Sequence, residues 1–193
     1  MSQHRLVLAS ASPRRRDLLA SVGLEFDVVV PMVDESQVCG EPCDIAQQLA
    51  LDKANDVVGR VSDATIIAAD TIVVVDGHVL GKPVDHNDSY RMLRMLCGNT
   101  HTVVTGVVVM DPLRDKTLVC CEESTVHMRE LEDDEIWTYI RTGEPSDKAG
   151  SYAIQGIGAV IVDRIEGCYS NVVGLPLARV ALMLKQVGIS ILG

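Results

Sequence analysis

Three stretches of this chain combine residue types at spacings that could do chemistry. The first is Asp70, a carboxylate set in the apolar run Ile66-Ile-Ala-Ala-Asp-Thr-Ile-Val-Val-Val75. Such a run reads as a buried strand, and a carboxylate inside it is costly unless it binds a metal, a proton or a cation. Asp76-Gly77 supplies the positive φ values of a two-residue hairpin turn, and Val79-Leu80 starts the return strand before Gly81-Lys82-Pro83. In an ideal register Val75 faces His78, Val73 faces Leu80 and Thr71 faces Lys82, while Asp70 points to the other face. A bulge at Gly81 would swing Lys82 toward Asp70. The plainer alternative is a surface hairpin whose Asp70 only caps a loop.

The second stretch is Ser10-Ala-Ser-Pro-Arg-Arg-Arg16, which follows the short apolar strand Arg5–Ala9. Ser12 has the chemistry of an N-cap and Pro13 fits the first helical position. Arg14, Arg15 and Arg16 then fall in the first turn, where the helix dipole disfavours cations. A basic cluster placed against that rule points to a bound anion. Free N–H groups, the Ser10 and Ser12 hydroxyls and the guanidinium groups together suit a polyphosphate. The alternative is a solvated basic turn.

The third is Glu144–Gly156, a loop of mixed charge and small residues that lets backbone approach a ligand. Two weaker signals accompany these. Asp34 and Glu35 leave a strand over Phe26–Val30, where one carboxylate could reach a metal, although a loop acid is more often just solvated. Lys53 lies near the apolar border of a helix over Ile45–Gly59, where a lysine ordinarily snorkels to the surface.

The elements that must position these groups follow from periodicity. The Ile45–Gly59 helix takes Asp44 as its N-cap and turns Ala46, Leu49, Ala50, Ala54, Val57 and Val58 inward. Asn87 caps a helix ending at Cys97-Gly98. Thr100–Met110 and Leu118–Met128 pair as strands around Asp111-Pro112. Asp133–Thr142 is a short helix, Ala159–Ile165 a strand, and a last amphipathic helix starts near Pro176. Strands, crossover helices and hairpins alternate, which predicts α/β, or α+β, with a mixed sheet flanked by helices.

A chain of 193 residues can bury roughly 70% of its unfolded surface, so a single domain is expected. It is 47% hydrophobic but 3% aromatic, so Val, Ile, Leu, Ala and Met must build the core. A net charge of −10 excludes nucleic-acid binding through a broad basic face, but not a small anion held by a few cations. The six cysteines lack metal-finger spacing, and reduced thiols in a cytoplasm are the simplest account. No signal pattern and no apolar run long enough to span a bilayer is seen.

Taken in order, Ser10-Ala-Ser-Pro-Arg-Arg, Ala69-Asp-Thr with Leu80-Gly-Lys-Pro, Asp147-Lys-Ala-Gly-Ser-Tyr-Ala-Ile-Gln-Gly156 and Val173-Gly-Leu-Pro resemble the Maf family. The resemblance covers nearly the whole chain. Within the family, the members acting on dTTP and UTP carry an Arg after the Ser-x-Ser-Pro turn, a Thr after the central Asp and a Gln in the late loop. Arg14, Thr71 and Gln155 match all three. The 7-methyl-GTP members typically have Asp-Gln instead of Asp70-Thr71. Val33-Asp-Glu35 and Cys97-Gly-Asn99 depart from the usual pattern.

The resemblance implies a twisted mixed sheet like that of inosine triphosphatases, with a central cleft. It implies hydrolysis between the α and β phosphates of a nucleoside triphosphate, releasing the monophosphate and pyrophosphate. Asp70 would be the proton acceptor, with Lys82 and Glu35 beside it in catalysis. Mg²⁺ or Mn²⁺ would be held by Asp70 and Glu35. Arg14, Arg15, Lys53 and Lys82 would share the triphosphate charge, and Thr71 and Gln155 would read the base. A homodimer is usual in the family. Two other readings stay open: a nucleotide-binding inhibitor of septum formation, and a pyrophosphatase for another, non-standard nucleotide.

Overall fold

The structure, a computed structural model, describes residues 5–34 and 40–192. Its strands are β1 (Leu6–Ala9), β2 (Asp27–Val28), β3 (Thr65–Val75), β4 (His78–Leu80), β5 (Thr100–Asp111), β6 (Lys116–Met128) and β7 (Val162–Glu166). Its α-helices are α1 (Pro13–Ser21), α2 (Pro42–Val58), α3 (His86–Leu96), α4 (Asp133–Arg141), α5 (Tyr169–Val173) and α6 (Leu177–Gln186). One sheet runs in the order β2-β1-β3-β5-β6-β7, with β4 paired to β3. β1 is parallel to β2 and β3, whereas β4 is antiparallel to β3 and β7 to β6. This is the mixed sheet with helices that the alternating pattern predicts.

The chain forms two compact units, Met1–Asp70 with Thr105–Glu122 and Gly174–Gly193, and Thr71–Val104 with Glu123–Val173. In the first unit, strand alternation sorts the core into two faces. Leu6, Leu8, Ile67, Ala69, Val107 and Val109 pack with α1 and α6 through Leu19, Val180 and Leu184. Val7, Ala9, Ile66, Ala68 and Val108 pack against Ala50, Ala54 and Val57 of α2. Asp70 continues the Ile66–Ala68 parity, so the carboxylate is delivered to the face that α2 covers. The helix lies close, because a Cβ on Gly106 of β5 would sit 2.2 Å from the Ala46 carbonyl. Only glycine fits there.

The second unit has its own core. Val73, Val75 and Leu80 of the β3–β4 hairpin meet Leu93 and Leu96 of α3 and Ile136, Tyr139 and Ile140 of α4. The hairpin has the expected register, Val75 opposite His78 and Val73 opposite Leu80, around Asp76 (φ 48°) and Gly77 (φ 75°).

Several boundaries differ from the expected ones. Helix α2 starts at Pro42, with Glu41 and not Asp44 as its N-cap, because proline's fixed φ suits the first helical position. For α3 the cap is Asp85, not Asn87, and its carboxylate accepts the Asp88 N–H at 2.8 Å. Strand β2 shrinks to two residues beside β1. The segment before β7 coils as a 3₁₀ turn over Gly156–Val160, so that strand starts only at Val162.

The cysteines also depart from expectation. Cys43, in the first turn of α2, forms a disulfide with Cys121 of β6, while Cys97, Cys120 and Cys168 are free. All-reduced thiols are therefore corrected: spacing along the chain says nothing of a pair 78 residues apart. No helix among the described residues is long and apolar enough to cross a membrane.

Two stability predictions follow from these features. Closing a loop of that length stabilises by about 4 kcal/mol on chain-entropy grounds. Reductant, or the double change Cys43→Ser and Cys121→Ser, should therefore lower Tm by roughly 10 °C. An unchanged melting curve under reductant would remove the crosslink from the account of stability.

His101 of β5 is 2% exposed, and its Nε2 shares a hydrogen bond with the Tyr152 hydroxyl at 2.7 Å. Burial, and to a smaller degree the nearby His127, pushes its imidazole down from 6.5 to about 4. The unfolded chain then binds the extra proton first. This contribution is complete above pH 6.5 and about 3 kcal/mol of it is lost as pH falls toward 4. Urea midpoints measured from pH 7 to 4.5 should fall more steeply for the wild type than for His101→Gln. Parallel curves would mean that this ring carries none of the acid sensitivity.

Candidate active site

Strand β1 ends at Ala9, the next residue, Ser10, is buried, and the chain turns into α1 at Pro13. The Ser10 hydroxyl accepts the Ser12 N–H at 3.1 Å, and the Ser12 hydroxyl accepts the Arg15 N–H at 3.4 Å. Ser12 is thus the N-cap, with Pro13 at the first helical position, as its residue type predicts. The first turn contains no acidic residue. Arg15 is drawn back to the protein, its Nε donating to the Gly174 carbonyl at 2.7 Å. Arg16 lies 3.5 Å from Asp17. Arg14, half-buried, has no partner among the described residues.

Asp70 is buried on β3, and its Oδ1 accepts a hydrogen bond from Lys53 Nζ at 2.5 Å. Lys53 is itself 7% exposed, on the inner face of α2. The expectation of a snorkelling surface lysine is overturned here. Two charges out of water need each other, and α2 supplies the cation that the β3 carboxylate requires. Lys82 does not take that place by a bulge at Gly81. Strand β4 stops at Leu80, and the Gly81 carbonyl accepts the Gly150 N–H at 3.0 Å. Lys82 is exposed and has no partner among the described residues.

Thr71 follows Asp70 on β3 with opposite parity and is half-buried. Gln155, in the late loop, is exposed and likewise has no partner among the described residues. Glu35 lies outside the described residues, and its neighbour Asp34 is exposed. The structure therefore brings Lys53 to Asp70 and ties Ser10, Ser12 and Arg15 into one turn.

The Asp70 carboxylate has a second oxygen, Oδ2, with no hydrogen bond among the described residues. A hard divalent cation takes oxygen ligands, so this donor fits one. Protein and substrate oxygens together, and not a closed cage, would complete such a site.

Sequence reasoning missed one set of residues. Tyr139 and Glu144 form a polar cluster under the late loop, with the Glu144 carboxylate accepting N–H bonds from Ile157 and Gly158. The available signal was a single acid after Gly143 at the start of the late loop, which is not specific.

The comparisons agree with this architecture. The model of the Maf-like protein family matches residues 5–187. The dTTP/UTP pyrophosphatase of Pelotomaculum thermopropionicum is 50% identical over 188 residues, covering 97% of this chain and 98% of its own. That of Geobacter sulfurreducens is 50% identical over 189 residues, with 97% and 99% covered. Among solved structures, the Staphylococcus aureus Ham1 protein aligns with a TM-score of 0.51 at 14% identity, over 82% of this chain and 79% of that one. At that identity the likeness is one of fold. The family match and the full-length relatives leave one conclusion: the chain belongs to the Maf-like protein family.

Proposed function

We propose that this protein hydrolyses dTTP and UTP between the α and β phosphates, releasing the nucleoside monophosphate and pyrophosphate. The observation that carries the reading is the buried Lys53–Asp70 pair, in a chain half identical over its length to relatives named dTTP/UTP pyrophosphatase. A carboxylate buried on a strand with one oxygen uncommitted is placed to hold and deprotonate a water. The oxygen of that water attacks the α phosphorus, the bond to the bridging oxygen breaks, and pyrophosphate leaves with the electron pair.

A carboxylate is a weak base near neutral pH, so Asp70 works chiefly by orienting the water, with its proton passing to a carboxylate oxygen. Lys53 fixes the Asp70 rotamer and offsets its charge. Arg14 and Lys82, without a partner among the described residues, neutralise phosphate oxygens, with Arg15 completing the turn of Ser10 and Ser12. Such chemistry is mainly positioning and charge compensation. Asp70, together with Glu35, would hold Mg²⁺ or Mn²⁺, which when bound supplies further neutralisation of the phosphates. Thr71 and Gln155 read the pyrimidine edge. The neutral Gln155 amide offers both a donor and an acceptor.

The same reading makes the enzyme one Maf-like domain, a homodimer acting on free nucleotide in the cytoplasm. The net charge of −10 supports a small substrate over a nucleic acid. In that compartment the Cys43–Cys121 disulfide is an exception to a reduced thiol population.

Pyrophosphate release measured over a nucleotide panel, with Mg²⁺ and with Mn²⁺, should rank dTTP and UTP first. Asp70→Asn keeps an oxygen for Lys53 and removes the base, and should lower kcat at least ~10²-fold. Wild-type turnover of dTTP by that variant would make Asp70 structural. Lys53→Met instead leaves a buried carboxylate without its cation and should cost about 3–5 kcal/mol of stability. Adding Asp70→Leu should return much of that loss in urea melts, while activity stays absent. If Lys53→Met melts like the wild type, the pair does not hold α2 on the sheet.

A further inference from the structure

We infer that the Tyr139 hydroxyl and the Glu144 carboxylate are positioning residues that hold Gln155 and thereby set the nucleotide preference; the inference rests on the dTTP/UTP reading above. Gln155 is the apex of a loop whose two sides are fastened to two groups that are bonded to each other. On the near side, the Ala153 N–H donates to the Tyr139 hydroxyl at 3.1 Å. On the far side, the Ile157 N–H donates to Glu144 Oε2 at 2.9 Å and the Gly158 N–H to Oε1 at 2.8 Å. The Tyr139 hydroxyl closes the clamp by donating to Glu144 Oε1 at 2.9 Å.

The loop ends also touch each other. A Cβ on Gly158 would lie 2.1 Å from the Ala153 carbonyl oxygen and 2.7 Å from the Tyr139 hydroxyl. Ala153 and Gly158 are therefore drawn together over one phenol, and the residues between them must arch outward.

The clamp is anchored from below as well as from within. Tyr139 is 3% exposed and belongs to the core of the second unit. Burial pushes the Glu144 carboxyl up, but the Gly158 and Ile157 N–H groups, the Tyr139 hydroxyl and the Lys148 charge together hold it below its ordinary value. It is an anion at any assay pH near neutrality, and its bonds are charge-assisted. The Lys148 ammonium adds a bond to the Glu144 main-chain carbonyl at 2.5 Å, fixing the residue from its backbone side. Against this bracing, the Gln155 side chain alone is left without a partner among the described residues.

That contrast is what a reading residue needs. Hydrogen bonds to a base weaken steeply with small errors in distance and angle, so an amide on a wandering loop would bind every base about equally. A backbone fixed two residues before and two after Gln155 confines its amide without spending the amide's own hydrogen-bonding capacity. Selectivity through hydrogen bonding is large only when the site's groups are held in place for the correct partner.

The test uses the full-length protein. Tyr139→Phe keeps the ring in the core and deletes both hydroxyl bonds. The ratio of kcat/KM for UTP over CTP should fall roughly tenfold, the worth of one or two hydrogen bonds. The fall should come through KM for UTP, with kcat at saturating UTP changed about twofold or less. In a Gln155→Ala background the same Tyr139→Phe change should shift the ratio less than about twofold, because its effect runs through Gln155. Glu144→Gln serves as the second variant, where a neutral amide weakens the clamp without emptying its space. It should move the ratio in the same direction, and amide hydrogen exchange over residues 153–158 should speed up in both variants.

An unchanged ratio in Tyr139→Phe and Glu144→Gln, or an equal fall with and without Gln155, would overturn the inference and assign the clamp to stability alone. A wild type that releases no pyrophosphate from UTP or dTTP would instead sink the functional reading, a result distinct from either.

Discussion

The first unit of this fold depends on the burial of one ion pair. An ammonium and a carboxylate, each almost fully out of water at Lys53 and Asp70, tolerate no loose geometry, because either charge alone would cost several kcal/mol. The pair therefore fixes two registers at once. A slip of β3 by one residue would turn Asp70 to the sheet face of α1 and α6, where Leu8, Ile67 and Leu184 offer no cation. A shift of α2 by one turn would carry Lys53 about 5.4 Å along the strand. The alanines of α2, the bare Gly106 beneath Ala46 and the Cys43–Cys121 crosslink at the start of the helix all bring that helix close and keep it there.

The cations of the chain divide by what the fold asks of them. Lys53 and Arg15 are held by the protein itself, one by a carboxylate and one by a main-chain carbonyl. Arg14 and Lys82 have no such partner among the described residues. Arg14 also sits at the positive end of a helix with no acid in its first turn. A guanidinium placed against the helix dipole, with no anion beside it among the described residues, would be stabilised by an external one. The four cations thus differ in their partners and not in their residue type.

This distinction marks how far the sequence was legible. The β3–β4 register, the Ser12 cap and the two-faced sheet follow from strand alternation and from turn and cap residue types. These are local rules acting over a few residues, and single-chain reasoning reaches them. The partner of Asp70 was not reached. A bulge at Gly81 would bring Lys82 toward Asp70, whereas the cation comes from a helix, seventeen residues earlier, through a helix–sheet contact that no local rule specifies. Lys53 looked like a border residue because a helical projection shows which face a side chain occupies, not what waits opposite. The disulfide escaped for the same reason, since pairing in space leaves no spacing to read.

The late loop carries that argument one step further. Its motif, Ser151-Tyr-Ala-Ile-Gln-Gly156, reads as part of a loop of mixed charge and small residues, and loops are ordinarily the more mobile parts of a fold. What removes the freedom is supplied from outside the motif, by a tyrosine on the preceding helix and a glutamate just past its end. A carboxylate that accepts two main-chain N–H groups and a phenol has spent most of its acceptor capacity on shaping one turn. Neither residue need meet a ligand for its loss to be felt at one. On the proposed reading, the side chain that meets the substrate is the one this network leaves out, and the residues that would make it selective are found by following the backbone bonds on either side of it.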